Sequence, residues 1–177
     1  MSQIQVEEYF MGAGDVYVDD VFFGSTMDNN VFRVLQEMAA PYVNGAGGTL
    51  AQTDYHNRLP AAEMEVTLLE LDATAIAYAI PGATSEASGD DTVISPPVTR
   101  RLSSTDYHKW ELRVPGLNSR VAKFTIPIGI ATSDFEVTAQ DDGDQPLGTR
   151  VTIRSRIDPD SIETAQWTIT RTPASYS

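Results

Sequence analysis

Apolar and polar residues alternate with a period of two through most of this chain, the spacing at which successive side chains leave opposite faces of a strand. Ala122, Phe124, Ile126, Ile128 and Ile130 alternate with Lys123, Thr125, Pro127 and Gly129. That pattern predicts a half-buried strand, bent at Pro127 because proline brings no N–H to a ladder. Trp110, Leu112 and Val114 fall opposite Lys109, Glu111 and Arg113, and Phe135 and Val137 opposite Asp134, Glu136 and Thr138. Val151, Ile153 and Ile157 fall opposite Arg150, Thr152, Arg154 and Arg156, and Trp167 and Ile169 opposite Gln166, Thr168 and Thr170. Nearer the start, residues 15–18 and 21–23 flank Asp19 and Asp20, which predicts a tight hairpin, and residues 31–38 and 63–69 supply two more strands. On the last of these, Met64, Val66 and Leu68 face a core while Glu63, Glu65 and Thr67 face away. Many short strands between turn residues predict a mainly β fold, a sandwich of two sheets or a barrel.

One short helix interrupts the series. Asp72 is placed to cap it, Ala73, Ala75, Ile76, Ala77 and Ala79 favour it, and Pro81 with Gly82 ends it. A helix of this length needs a sheet to hold it. Two segments lack periodicity and predict long loops, 39–62 and 81–91, both rich in small and polar residues. Loops beyond about 12–15 residues are uncommon in a compact domain unless they have a function. The segment 39–62, with Tyr42 and Tyr55, is therefore expected to be ordered by a partner. Thr53-Asp54-Tyr55-His56 recurs as Thr105-Asp106-Tyr107-His108 with unmatched flanks, which reads as two similar turns and not as a duplication.

With 177 residues the chain fits a single domain, and 41% hydrophobic against 21% charged residues is a globular balance. No apolar run reaches the roughly 18 residues of a membrane span, and the first residues are acidic where an export signal is basic, so neither a membrane nor an export role is expected. Cysteine is absent, which excludes disulfides and thiolate metal sites. The net charge of −13 argues against a grip on nucleic acid. Lys109 and Lys123 are the only lysines and aspartate outnumbers glutamate, a skew that suits a salt-rich setting where self-repulsion is screened.

Catalytic signatures are lacking. His56 and His108 are the only histidines, no H-E-x-x-H is present, and no serine sits in G-x-S-x-G, so the chain does not read as an enzyme and no cofactor is expected. The Asp-x-His pairs, Asp54 with His56 and Asp106 with His108, could converge on a metal, but turn residues account for them more simply. Asn44-Gly45-Ala46-Gly47-Gly48-Thr49 lacks the lysine and following helix of a phosphate loop, and reads as glycine placed for backbone freedom. Asp141, Asp142, Gly143 and Asp144 make an acidic turn without the calcium-loop spacing.

One order of segments is informative. Gly14-Asp15-Val16-Tyr17-Val18 is followed by Gly24-Ser25-Thr26-Met27-Asp28-Asn29-Asn30-Val31-Phe32, by Gly47-Gly48-Thr49-Leu50 with Thr53-Asp54-Tyr55, and by Glu63-Met64-Glu65-Val66-Thr67-Leu68-Leu69-Glu70-Leu71. This order resembles the N-terminal half of the major tail tube proteins of long-tailed phages. The resemblance implies a β-sandwich with a flanking helix, whose inner strands join those of other copies in a ring-closed, hexameric β-barrel, with rings stacked into a tail tube. It implies a structural virion protein that contacts itself and other tail proteins such as tape measure, terminator and baseplate, assembled in the host cytoplasm, with DNA only passing through. The loop 39–62 would reach the adjacent ring, through Tyr42, Asn44, Gly45, Gly47, Gly48, Asp54 and Tyr55. Glu63, Glu65 and Thr67 would line the channel as a wall that repels phosphate; Arg33 opposes this unless an acidic neighbour pairs with it. Two other readings stay open: a monomeric ligand-binding or adhesion sandwich with Trp110 and Trp167 in its platform, and a single-ring baseplate or connector component.

Overall fold

The computed structural model describes residues 3–27, 29–39, 42–44, 50–52, 56–57, 61–69, 73–95, 102–115, 121–132, 137–138, 148–157 and 165–172. Its strands are β1 Gln3–Met11, β2 Asp15–Val18, β3 Val21–Ser25, β4 Asn30–Ala39, β5 Tyr42–Asn44, β6 Leu50–Gln52, β7 His56–Asn57 and β8 Ala61–Leu68. After helix α1, Ala73–Ala79, come β9 Thr84–Ser88, β10 Asp91–Ser95, β11 His108–Pro115, β12 Val121–Ala131, β13 Val137–Thr138, β14 Gly148–Ser155 and β15 Thr168–Thr172. The mainly β sandwich read from the alternation is what forms.

The principal hydrogen-bonded path runs β1-β4-β8-β14-β12-β11-β2-β3, all antiparallel. Strand β12 joins the two layers of the sandwich. One of its edges pairs with β11 from Val121 to Gly129, while the other pairs with β15 over Val121 to Thr125 and with β14 over Gly129 to Ala131. The bend expected at Pro127 is there: opposite His108 and Trp110 the β12 partners are Gly129 and Ile126, so β12 carries one extra residue. The bulge reverses the phase of the strand, and this corrects the simple alternation. Phe124 and Ile126 are buried before it; Gly129 and Ala131 are buried after it, leaving Ile128 and Ile130 half-buried on the other face.

Phe32, Val34, Met64, Val66, Leu68, Val151 and Ile153 from one layer meet Val16, Val18, Trp110, Leu112, Phe124 and Ile126 from the other. Phe32 packs on Phe124 with ring centroids 5.3 Å apart and edge-on to Trp167 at 6.2 Å. Trp110 is fully buried, so it belongs to the core and not to a ligand platform. Gly129 makes room for it: a methyl group there would come within 2.9 Å of Trp110, Ile126 and Ile153 alike. Gly129→Val is expected to cost about 1–3 kcal/mol of unfolding free energy through overpacking, read as a lower urea midpoint.

The hairpin expected at Asp19 and Asp20 forms with φ of 49° and 68°, the left-handed pair that a tight β2–β3 turn demands. Helix α1 ends as expected, with Gly82 at φ 83° beyond it. A buried polar knot ties the start of the chain to the path. Thr26 accepts a hydrogen bond from the Gly14 N–H at 3.0 Å and returns one to the Gly14 carbonyl at 3.0 Å. Asn30 Nδ2 donates to Thr26 Oγ1 at 2.6 Å and to the Gly12 carbonyl at 2.9 Å. Beside it, Met27 N donates to the Thr67 carbonyl at 2.9 Å and Leu69 N to that of Ser25 at 3.0 Å, so the end of β3 also meets the end of β8.

Other expectations need correction. Strand β1 was not expected. Segment 39–62 is not one irregular loop: β5 and β6 form a hairpin within it, and β7 pairs with β4. Segment 81–91 likewise gives way to the β9–β10 hairpin. Ile157 follows the end of β14 and is exposed.

Candidate functional site

Strand β8 displays Glu63, Glu65 and Thr67 away from the core, while Ala62, Met64, Val66 and Leu68 are buried beneath them. What surrounds the two glutamates is set by strand order. Antiparallel register puts Arg33 of β4 on one side of Glu63 and Arg154 of β14 on the other. Arg33 Nη1 donates to Glu63 Oε1 at 3.0 Å and to Glu65 Oε2 at 3.2 Å. Arg154 Nη2 donates to Glu63 Oε2 at 3.1 Å, and Arg150 Nη2 donates to Glu65 Oε1. Each carboxylate is gripped from both flanks by guanidinium groups. On this face the two carboxylates are therefore paired and not bare. The condition set for Arg33, an acidic partner, is met twice.

Exposure is uneven across the ladder. The glutamate side chains are 16% exposed, whereas Arg150 is 67% and Arg154 55% exposed. Among the described side chains of the ladder, the guanidinium groups of β14 are the more exposed. Glu65→Gln takes the carboxylate from Arg150 and one of two carboxylate contacts from Arg33, which keeps Glu63, and a loss of about 1 kcal/mol is expected, since half-exposed pairs are worth little more. A double-mutant cycle with Arg33→Met measures the coupling.

The second notable surface is the β3 end of the path. A bulge at β3, where Val16 and Tyr17 oppose Gly24 and Phe22, turns Phe23 inward onto Trp110 at 5.4 Å. Val21 and Phe22 stay outside, 68% and 50% exposed. Phe22 meets Tyr17 edge-on at 5.7 Å, and the Arg113 guanidinium lies 3.6 Å over the Tyr17 ring. Arg113 also binds Glu111, which is nearly buried and has Lys123 3.6 Å away. Burial alone would lower the Arg113 pKa, but the hydrogen bond and charge of Glu111 outweigh it and raise the pKa. At the hairpin tip the Lys109 ammonium, bonded at 2.6 Å, holds the Asp20 carboxyl below its ordinary 3.8. A lowered carboxyl pKa means that this exposed contact is present above the ordinary value and lost as the pH falls through the depressed one.

A cavity of about 340 Å³ lies between α1, β9 and the 3₁₀ turn Ser104–Asp106, lined in part by Tyr78, Ser85, Thr105, Asp106 and His108. His108 Nδ1 is 2.7 Å from Asp19 Oδ2, and its ring packs edge-on against Tyr78 at 4.7 Å. Asp106 Oδ2 accepts from Ser103 N at 2.6 Å and caps the turn, as its turn reading requires. Among the described residues no hydroxyl is hydrogen-bonded to the His108 ring, and no three His, Cys, Asp or Glu side chains are grouped to hold a metal. The side chain of His56 and all of Asp54 lie outside the described residues, as do Gly45, Gly47, Gly48, Tyr55 and the acidic turn at 141–144. Tyr42 and Asn44 are described in backbone only, as the ends of β5. No described helix is long and apolar enough to cross a membrane.

Comparison with known proteins brings no match to any family model, and no curated protein matches the sequence.

Proposed function

We propose that this chain is a structural subunit that associates with copies of itself through its sheet edges, forming rings that stack as the tail tube of a long-tailed virus. The observation that carries the reading is the β3 edge. It terminates the eight-strand path, pairs along its length with β2 alone among the described strands, with only the Ser25 carbonyl at its end accepting from Leu69, and exposes Val21 and Phe22. A strand edge flanked by exposed apolar side chains is a ready template for another strand. The other end of the path is β1, nine residues long, which pairs with β4 alone among the described strands. Two different edges on one subunit favour head-to-tail contacts, and such contacts close into rings when the rotation permits. A path of strands joined edge to edge around an axis encloses a channel.

Charge supports the same use. A surface with a net charge of −13 holds no general affinity for the phosphate backbone, as passage of a genome requires. The rival ligand-binding reading, whose platform would join Trp110 and Trp167 to the loop tyrosines Tyr42 and Tyr55, is weakened at its tryptophans, because Trp110 is buried and Trp167 packs edge-on to Phe32. Negative-stain microscopy and sedimentation of the purified chain over a range of protein and salt concentrations test the proposal. Rings or hollow filaments of uniform diameter are the expected result; a monomer that persists at the highest concentration under every salt condition would end it.

A further inference from the structure

Hairpin β9–β10 stands apart from the rest of the molecule. Among the described strands its two pair only with each other, and it rests against α1. Every strand residue is exposed apart from the half-buried Ile94. A two-stranded hairpin has marginal stability alone, and this one buries neither face. Gly89, at φ 67° with open space around it, lets the chain reverse in two residues. The hairpin is also uniformly acidic: it carries Glu86, Asp90 and Asp91, with no lysine or arginine between residues 84 and 95. None of these three carboxylates has an ion pair among the described residues.

The complementary surface is the ladder face. Arg150 and Arg154 are more than half exposed there, each with donors beyond those given to Glu65 and Glu63. Exposed guanidinium groups along a genome channel would hold phosphate, so this face suits a protein contact better than the channel wall. We propose that hairpin β9–β10 of one copy docks on the β14 side of the ladder face of a second copy, its carboxylates meeting Arg150 and Arg154. The proposal rests on the self-association described above and names one of its contacts. Because hairpin and ladder are different surfaces, the contact passes from copy to copy without using itself up. It leaves the β1 and β3 edges free for strand pairing.

The chain has no cysteine, so a single engineered pair reports the contact directly. Asp91→Cys with Arg154→Cys in the full-length chain, oxidised under assembling conditions, is expected to give a ladder of disulfide-linked oligomers on a non-reducing gel; each single variant stops at dimers. In parallel, the triple variant Glu86→Arg, Asp90→Arg, Asp91→Arg is expected to raise the concentration needed for assembly at least tenfold. Arg150→Glu with Arg154→Glu should do the same, and combining both sets should restore most of the loss. Unchanged circular dichroism melting separates lost contact from lost fold, and the cysteine pair needs no charge reversal. Assembly by the triple variant at the wild-type concentration, with no cross-linked ladder, overturns the hairpin contact and leaves the tube reading standing. A wild-type chain that never assembles overturns both. Retention of duplex DNA that Arg150→Glu with Arg154→Glu abolishes assigns the face to nucleic acid and also overturns the contact.

Discussion

Thr26→Val is expected to lower the unfolding free energy by about 2–6 kcal/mol, because it leaves two buried donors without acceptors at about 1–3 kcal/mol each. The Thr26 hydroxyl uses its full capacity: it donates to the Gly14 carbonyl and accepts from Gly14 N and from Asn30 Nδ2. Valine has the same shape and none of these bonds. The Gly14 carbonyl keeps one partner, the Thr26 N–H at 2.7 Å, but the Gly14 N–H and one Asn30 proton lose theirs. Both Thr26 and Asn30 are sealed from solvent, so water cannot substitute. Ser25→Ala is the control, since its hydroxyl binds Asp15 at a half-buried position and should cost about 1 kcal/mol or less. Urea unfolding of the two variants settles the comparison; near-equal midpoints would remove the knot from the account of stability.

The second large effect concerns association. Val21→Lys with Phe22→Glu places charges on the exposed margin of β3, a device by which natural sheets prevent edge pairing. Loss of two apolar anchors at an interface costs about 2 kcal/mol or more, which raises the concentration for half-assembly by about 30-fold. The fold itself should hold, within about 0.5 kcal/mol, because neither side chain enters the core. Sedimentation velocity at graded concentrations, paired with thermal melting, reads both quantities. Assembly at wild-type concentrations by a folded variant would take the β3 edge out of the subunit junction.

Where one face of a strand is buried, the sequence was legible. The outward set Glu63, Glu65 and Thr67 on β8 and the buried set Trp110 and Leu112 on β11 follow from alternation alone. The hairpin at Asp19 and Asp20 was legible because two short polar residues between alternating runs leave the chain few other ways to turn. Strand β1 was not, since Gln3–Met11 places Glu7 beside Glu8 and Phe10 beside Met11, which blurs a period of two. The β9–β10 hairpin escaped for a related reason: with no face buried, nothing selects apolar residues at every second position. The phase of β12 after Pro127 needed the bulge, which depends on the β11 register and not on local sequence. The arginine ladder lay furthest from reach. Arg33, Glu63 and Arg154 are distant in the chain, and only the strand order β4-β8-β14 makes them neighbours.

The double membership of β12 bears on how the molecule is made. As the chain leaves the ribosome, β2 and β8 emerge long before the strands that cover them, and neither layer can be finished until β12 has cleared the exit tunnel. Strand β14 then closes one layer and β15 the other, so folding is held back to the last third of synthesis and the early strands wait with bare margins. The risk of a wrong strand pairing is thus highest in the nascent chain, before the later strands have taken the margins that the finished fold gives them.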